Sequence, residues 1–167
     1  MSDLVVLPAP RKIALSRGLF ALVDEADFDL VSRHKWHAHD GYDGKVYAAT
    51  WDGMKDGKRV RILMHRLIAR TPDGLDTDHR DGDGLNNQRY NLRPATRAQN
   101  MWNRKPNKKG SSKHKGVGWH KQHQKWVASI QVSKVRSHLG LFDNEEDAAA
   151  AYQKRAAIEF GKYNHRS

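Results

Sequence analysis

Apolar positions Ile13 to Leu15 and Leu19 to Val23 flank Gly18 and predict two short extended segments. Asp24-Glu25-Ala26-Asp27 then marks a helix start, with Asp24 placed to cap and Asp27 at the third helical position. Trp36, Val46, Tyr47 and the run from Val60 to Met64 predict further strands, separated by turns at Asp40-Gly41, Asp43-Gly44 and Asp56-Gly57. The expected product is a small mixed sheet.

The middle of the chain is patterned differently. Met64 to Arg70 predicts a short helix stopped before Thr71-Pro72. Residues 77 to 93 hold many turn formers and few apolar ones. They predict a strand end at Thr77 to His79, a polar loop through Gly82, Gly84 and Asn86-Asn87, and a return at Asn91 to Arg93. Thr96 can cap a helix with Gln99 as its reciprocal partner, which places Asn100 within about the first turn.

Three runs follow, Gly116 to Lys121, Trp126 to Val132 and Val135 to Leu141, and they predict an antiparallel sheet. In the middle run Trp126, Ala128, Ile130 and Val132 face one way, Ser129 and Gln131 the other. Asp143 with Glu146 marks a helix start, and Ala148, Tyr152, Ala156 and Phe160 recur every four residues as a packing stripe. One sheet face is then covered by the helix. The opposite face is expected to carry Lys115, His120, Gln131, Arg136 and His138.

Charge is unevenly spread. Residues 1 to 60 carry nine Lys or Arg and nine Asp or Glu, whereas residues 104 to 138 carry ten Lys or Arg and no acid. With a net charge of +11, the chain would attract a polyanion. Residues 104 to 115 hold Pro106 and Gly110 and no apolar anchor, and they read as a basic linker in which Lys105, Lys108, Lys109 and Lys113 are candidate phosphate contacts. The absence of cysteine excludes disulfides, thiolate metal clusters and cysteine nucleophiles. No membrane-spanning run and no export signal is evident, so an intracellular, non-secreted location is expected, the bacterial cytoplasm if the gene is a phage's.

The chemistry concentrates in Asp78-His79-Arg80-Asp81-Gly82-Asp83, followed by Asn91 and Asn100. A neutral imidazole can take a proton from water near neutral pH, and a divalent cation can neutralise charge on the phosphate. His79 is assigned as general base, and Asp78 and Asn100 as oxygen ligands to one Mg2+, Mn2+ or similar ion. Asn91 is assigned to fixing the loop and the imidazole. Asp81 and Asp83 could suggest a calcium loop, but Leu85 stands at the next alternate slot and no terminal Glu follows. His65, opening a short helix beside Leu67 and Ile68, is read as packing or capping, and His34, His37 and His39 as part of a half-exposed strand.

Met64-His-Arg-Leu-Ile and the segment Thr77 to Asn100 resemble the HNH nuclease family, closely its phage and intron-associated homing endonucleases. The resemblance implies that His79 activates water, that Asn91 supports it, and that Asp78 and Asn100 hold one catalytic cation. Asn100 replaces the histidine frequent at the last signature position. Lys115 to His120, Lys125 to Gln131, Ser137 to Phe142 and Glu145 to Tyr152 resemble the DNA-binding domain of the plant APETALA/ethylene-response-factor class. That resemblance implies a sheet laid in the major groove, with Lys115, His120, Gln131, Arg136 and His138 facing bases or phosphates.

The expected architecture is α+β: an N-terminal strand-rich region over 1–60 with candidate DNA contacts, a beta-beta-alpha-metal nuclease core over 61–103, the linker over 104–115, and a sheet-plus-helix DNA-binding domain over 116–167. The expected activity is metal-dependent hydrolysis of double-stranded DNA by a monomer, as a homing endonuclease or strand-specific nickase. The alternative is a DNA-binding regulatory or architectural protein with an inactive HNH core.

Overall fold

A computed structural model of the chain describes residues 9–41, 44–104 and 110–164. It divides into two compact units, Met1–Arg97 and Ala98–Ser167. The fold is α+β, and its strands pair antiparallel.

In the first unit β1 (Arg11–Ala14) and β2 (Phe20–Val23) form a hairpin, followed by α1 (Glu25–Ser32). Three strands, β3 (His37–Asp40), β4 (Val46–Lys55) and β5 (Lys58–Leu63), make a second antiparallel sheet in the order β3-β4-β5. The Asp56-Gly57 turn joins β4 to β5 with both residues at positive φ, 50° and 72°, the conformation whose twist suits a two-residue hairpin. A single mixed sheet was the expectation. The chain instead builds two separate sheets, and among the described residues parallel pairing is confined to one bridge between Leu22 and Asn86.

Apolar side chains meet in one core: Ile13, Leu15, Ala21, Val23, Val31, Trp36, Ala38 and Ala48 pack with Met64, Ile68 and Leu92. The last three come from α2 (Met64–Ala69) and β7 (Leu92–Ala95), so the N-terminal hairpin and the central segment share an interior. β6 (Asp76–His79) pairs with β7, setting Asp78 opposite Arg93 and His79 opposite Leu92. α3 (Arg97–Trp102) follows β7.

Asp24 stands at the N-cap of α1, but its side chain does not cap the helix. Its carboxylate accepts hydrogen bonds from Gln88 Nε2 at 3.0 Å and from the Arg89 backbone N–H at 2.8 Å.

In the second unit β8 (Val117–His120), β9 (Lys125–Val132) and β10 (Val135–Phe142) form an antiparallel sheet, and α4 (Glu145–Phe160) lies against it. The four-residue stripe is buried as its spacing implies, Tyr152, Ala156 and Phe160 meeting Ile130, with Trp102 stacked on Phe160 at 4.6 Å. Burying one large apolar side chain stabilises a fold by roughly 1.5–3 kcal/mol. The helix begins one residue later than expected: Asn144 is the N-cap, its Oδ1 accepting from Asp147 N–H at 2.7 Å and its Nδ2 donating to the Asp147 carboxylate at 2.6 Å. An amide can accept and donate at once, which the Asp143 carboxylate cannot.

Candidate active site

The centre of the first unit is a hairpin whose residues alternate between two jobs. Side chains on adjacent strand positions point to opposite sides, so Asp78 and His79 serve different neighbours. Both are buried, 1% and 2% exposed. Asp78 Oδ2 accepts two hydrogen bonds from the buried Arg93 guanidinium, from Nε at 2.7 Å and from Nη2 at 2.6 Å. Arg93 comes from the directly paired position on β7, so the register itself delivers the countercharge.

The His79 ring lies among Tyr47, 5.9 Å away between centroids, His65 at 4.9 Å, and the Asn87 amide. Asn87 Nδ2 donates to the Leu85 carbonyl at 3.1 Å, which turns its Oδ1 toward His79 Nε2 at 3.4 Å. An amide oxygen only accepts, so this contact requires the tautomer that carries its proton on Nε2. Burial lowers the His79 pKa below 6.5, partly offset by the Asn87 contact. The ring is therefore neutral at pH 7, the form that can accept a proton.

Asn91 was assigned both the loop and the imidazole, and the structure gives it the loop alone. Its Nδ2 donates to Asp81 Oδ1 at 2.9 Å and to the Asn86 carbonyl at 2.8 Å, while its Oδ1 accepts from the Asp81 N–H at 3.1 Å. Asp81 also accepts from Asp83 N–H at 2.8 Å and from Asn86 Nδ2 at 2.8 Å, and Asp83 accepts from Leu85 N–H at 2.9 Å. These carboxylates close local turns within the loop rather than radiating toward one ion. Gly84 lets the loop cross β4 closely, since a Cβ there would run into the Val46 carbonyl oxygen and the Tyr47 ring.

The loop is also held from outside. Leu22 N–H donates to Leu85 O and Asn87 N–H donates to Leu22 O, both at 2.8 Å, which adds the loop to the edge of β2. Arg89 donates from Nε and Nη2 to the buried Asp27 carboxylate at 2.7 and 2.6 Å. Sequence reading did not single out Asn87, Arg93, Tyr47 or the Asp27–Arg89 pair for the site. The only local signal for Asn87 was its place in a turn-rich run.

His65 is buried as a packed residue, with its Nδ1 lacking a hydrogen-bond partner. Its pKa is held well below 6.5, first by burial and then by His79 and Arg66. His37 and His39 are half-buried on β3, as expected, but His34, read as part of the same strand, lies in a bend before it. Among the described residues, no group of three or more His, Cys, Asp and Glu could hold a metal ion.

Asn100 stands on α3, in the part that belongs to the second unit. There the alternation argument places Gly118, His120, Ser129, Gln131, Arg136 and His138 on the sheet face away from Ala128 and Ile130. Gln131 pairs with Arg136, Ser129 with His138, and His120 with Lys125. Gln131, Arg136 and His138 are exposed and His120 half-exposed, and Arg136 donates to Ser129 Oγ at 2.9 and 3.1 Å.

Lys115 is not on that face. It precedes β8, and its Nζ donates to the Trp102 and Met101 carbonyls at 2.6 and 3.2 Å, capping the end of α3. Burial lowers its pKa to about 8. Lys113 is exposed, with its Nζ 3.4 Å from Glu146. Lys105, Lys108 and Lys109 lie outside the described residues.

No helix among the described residues is long and apolar enough to cross a membrane. No family model matches the chain, and no solved structure matches it. Protein 3.8 of Escherichia phage T7 is 33% identical over 87 residues, covering 52% of this chain and 72% of that protein. A protein of Acanthamoeba polyphaga mimivirus named an uncharacterized HNH endonuclease, L560, is 31% identical over 153 residues, covering 88% of this chain. With that identity extending across 74% of the mimivirus protein, this chain belongs to the HNH endonuclease family.

Proposed function

We propose that the chain is a divalent-metal-dependent DNA endonuclease that hydrolyses one strand per binding event, acting as a homing endonuclease or strand-specific nickase. The observation that carries this reading is the His79 ring: neutral, buried and in contact with the Asn87 amide, one strand position from Asp78 in an HNH-family chain.

The donor set suits Mg2+ or Mn2+ rather than a fully caged ion. One carboxylate from Asp78 and one amide oxygen from Asn100 are hard ligands, and Mg2+ keeps most of its waters and takes phosphate oxygens for the rest. When bound, the ion would neutralise charge on the phosphate and assist the leaving oxygen. Asn100 is assigned this role by its place in the family pattern, and with it β6, β7 and α3 read as the beta-beta-alpha motif.

In this reading His79 Nδ1 removes a proton from the attacking water, and the Asn87 contact stabilises the charge that the ring acquires. Arg93 holds Asp78 in one orientation. Asn91 keeps the 80–91 loop closed, so that Asn87 stays on the ring. The sheet of the second unit, with His120, Gln131, Arg136 and His138 on its exposed face, reads the duplex in the manner of the plant ethylene-response-factor class. Lys105, Lys108, Lys109 and Lys113 contact phosphates.

Supercoiled plasmid incubated with Mg2+ or Mn2+ tests the reading. The wild-type chain is expected to produce nicked circles, and His79→Ala to lose about 10²–10⁴-fold of that rate while duplex binding persists. Undiminished nicking by His79→Ala overturns the assignment. Binding without nicking in any divalent metal favours the regulatory alternative.

A further inference from the structure

We infer that one face of the outer half of the β4–β5 hairpin, carrying Trp51, Met54, Arg59 and Arg61, is a second DNA-contacting element that extends the active site along the duplex; this rests on the reading of the chain as a DNA nuclease. The strand register puts Tyr47, Ala49 and Trp51 of β4 on one face with Arg61 and Leu63 of β5, and His37 and His39 of β3 join it. Beyond the irregularity between Trp51 and Met54, Met54 pairs with Arg59. The inner end of this face is the active site, because Tyr47 touches both His65 and His79.

The outer end is built unlike a solvated edge. Trp51 is 48% and Met54 65% exposed, and the Trp51 ring stacks on His37 at 6.0 Å and 19°. Arg59 and Arg61 are exposed. Whereas Arg11, Arg17, Arg89, Arg93 and Arg155 meet carboxylates, neither Arg59 nor Arg61 has an ion-pair partner among the described residues. Arg61 acts on His39, helping to lower that histidine's pKa after burial, against Asp40, which raises it.

A two-stranded ribbon fits a DNA groove, arginine is suited to phosphate, and exposed aromatic or apolar side chains can rest against sugars and base edges. From Tyr47 to Met54 the strand covers about 23 Å at its usual rise. That distance is roughly seven base pairs at 3.4 Å each. The ribbon can therefore grip the duplex outside the scissile phosphate while His79 faces it.

The full-length protein is titrated onto a 30-base-pair duplex of randomised sequence without divalent metal, by fluorescence anisotropy over a KCl series. Each lost phosphate contact lowers the salt slope by about 0.9, so Arg59→Gln with Arg61→Gln is expected to lower it by about 2. Lys55→Gln with Lys58→Gln removes the same charge from the turn end, where by alternation Lys58 faces away from Arg59, and is the control. A fall of one or more in the arginine pair that the lysine pair does not match supports the ribbon. A smaller fall, or equal falls in the two pairs, overturns it. Because the readout is binding without metal, a protein that shows the arginine effect but never nicks sinks the nuclease reading alone. One that nicks with an unchanged slope sinks the ribbon alone.

Discussion

The imidazole rings of His65 and His79 stand 4.9 Å apart at 84° to each other, one from the first turn of α2 and the other from the end of β6. His65 resists protonation chiefly because it is buried, with His79 and Arg66 adding to the penalty. The unfolded chain binds that proton near pH 6.5 and the folded chain does not. Stability is therefore full above pH 6.5 and falls as pH drops below it, by about 1.4 kcal/mol per pH unit for one proton. Urea unfolding at pH 7, 6 and 5 should show a shallower decline for His65→Gln than for the wild type. Parallel declines would remove His65 from the account.

Arg93 and Asp78 are a second buried relationship, and here charge is paired. Removing the guanidinium leaves a carboxylate that is 1% exposed without its countercharge. Breaking a buried pair from one side costs about 3–5 kcal/mol. Arg93→Ala is expected to unfold at correspondingly lower urea, and Arg93→Lys to recover only part of the loss because an ammonium cannot donate from two fixed nitrogens. A loss below about 1 kcal/mol in Arg93→Ala would show that Asp78 is not held by this contact.

These contacts also mark where sequence reading stops. The β6–β7 hairpin and the Ala148, Tyr152, Ala156, Phe160 stripe were legible because alternation and four-residue spacing are properties of neighbouring positions. The same alternation put His120, Gln131, Arg136 and His138 on one face. Asp24 read as a helix cap because the local pattern offers nothing else, yet its carboxylate goes to Gln88 and Arg89, 64 and 65 residues away. Asn87 went unassigned, and Lys115 was assigned to the sheet face, for a similar reason. Their partners are chosen by how distant segments pack, and no spacing along the chain encodes that.

Asp27 and Arg89, 62 residues apart, fasten α1 to the loop that holds Asn87. The carboxylate is buried while the guanidinium is about half exposed, which screens the pair. Arg89→Ala is expected to cost about 1–3 kcal/mol by leaving a buried acceptor short of donors. More telling is the division of kinetic effects. A loosened loop lets Asn87 leave the imidazole, so the nicking rate at saturating DNA should fall several-fold with duplex affinity unchanged. A change confined to affinity would mean that Arg89 meets DNA instead.

Lys115 gives a test that separates a structural lysine from a DNA-binding one. Its Nζ is engaged by the Met101 and Trp102 carbonyls, at the end of the helix that carries Asn100. Lys115→Met should therefore leave the salt slope of DNA binding as it is, whereas a phosphate contact would remove about 0.9 from it. The pH profile supplies the second readout. With a folded pKa of about 8 against an ordinary 10.5, the folded chain binds fewer protons than the unfolded one between those values. The wild type accordingly gains stability from this residue as pH rises from about 8 toward 10.5, and Lys115→Met lacks that gain. A flattened salt slope with identical alkaline profiles would return Lys115 to the DNA-binding surface.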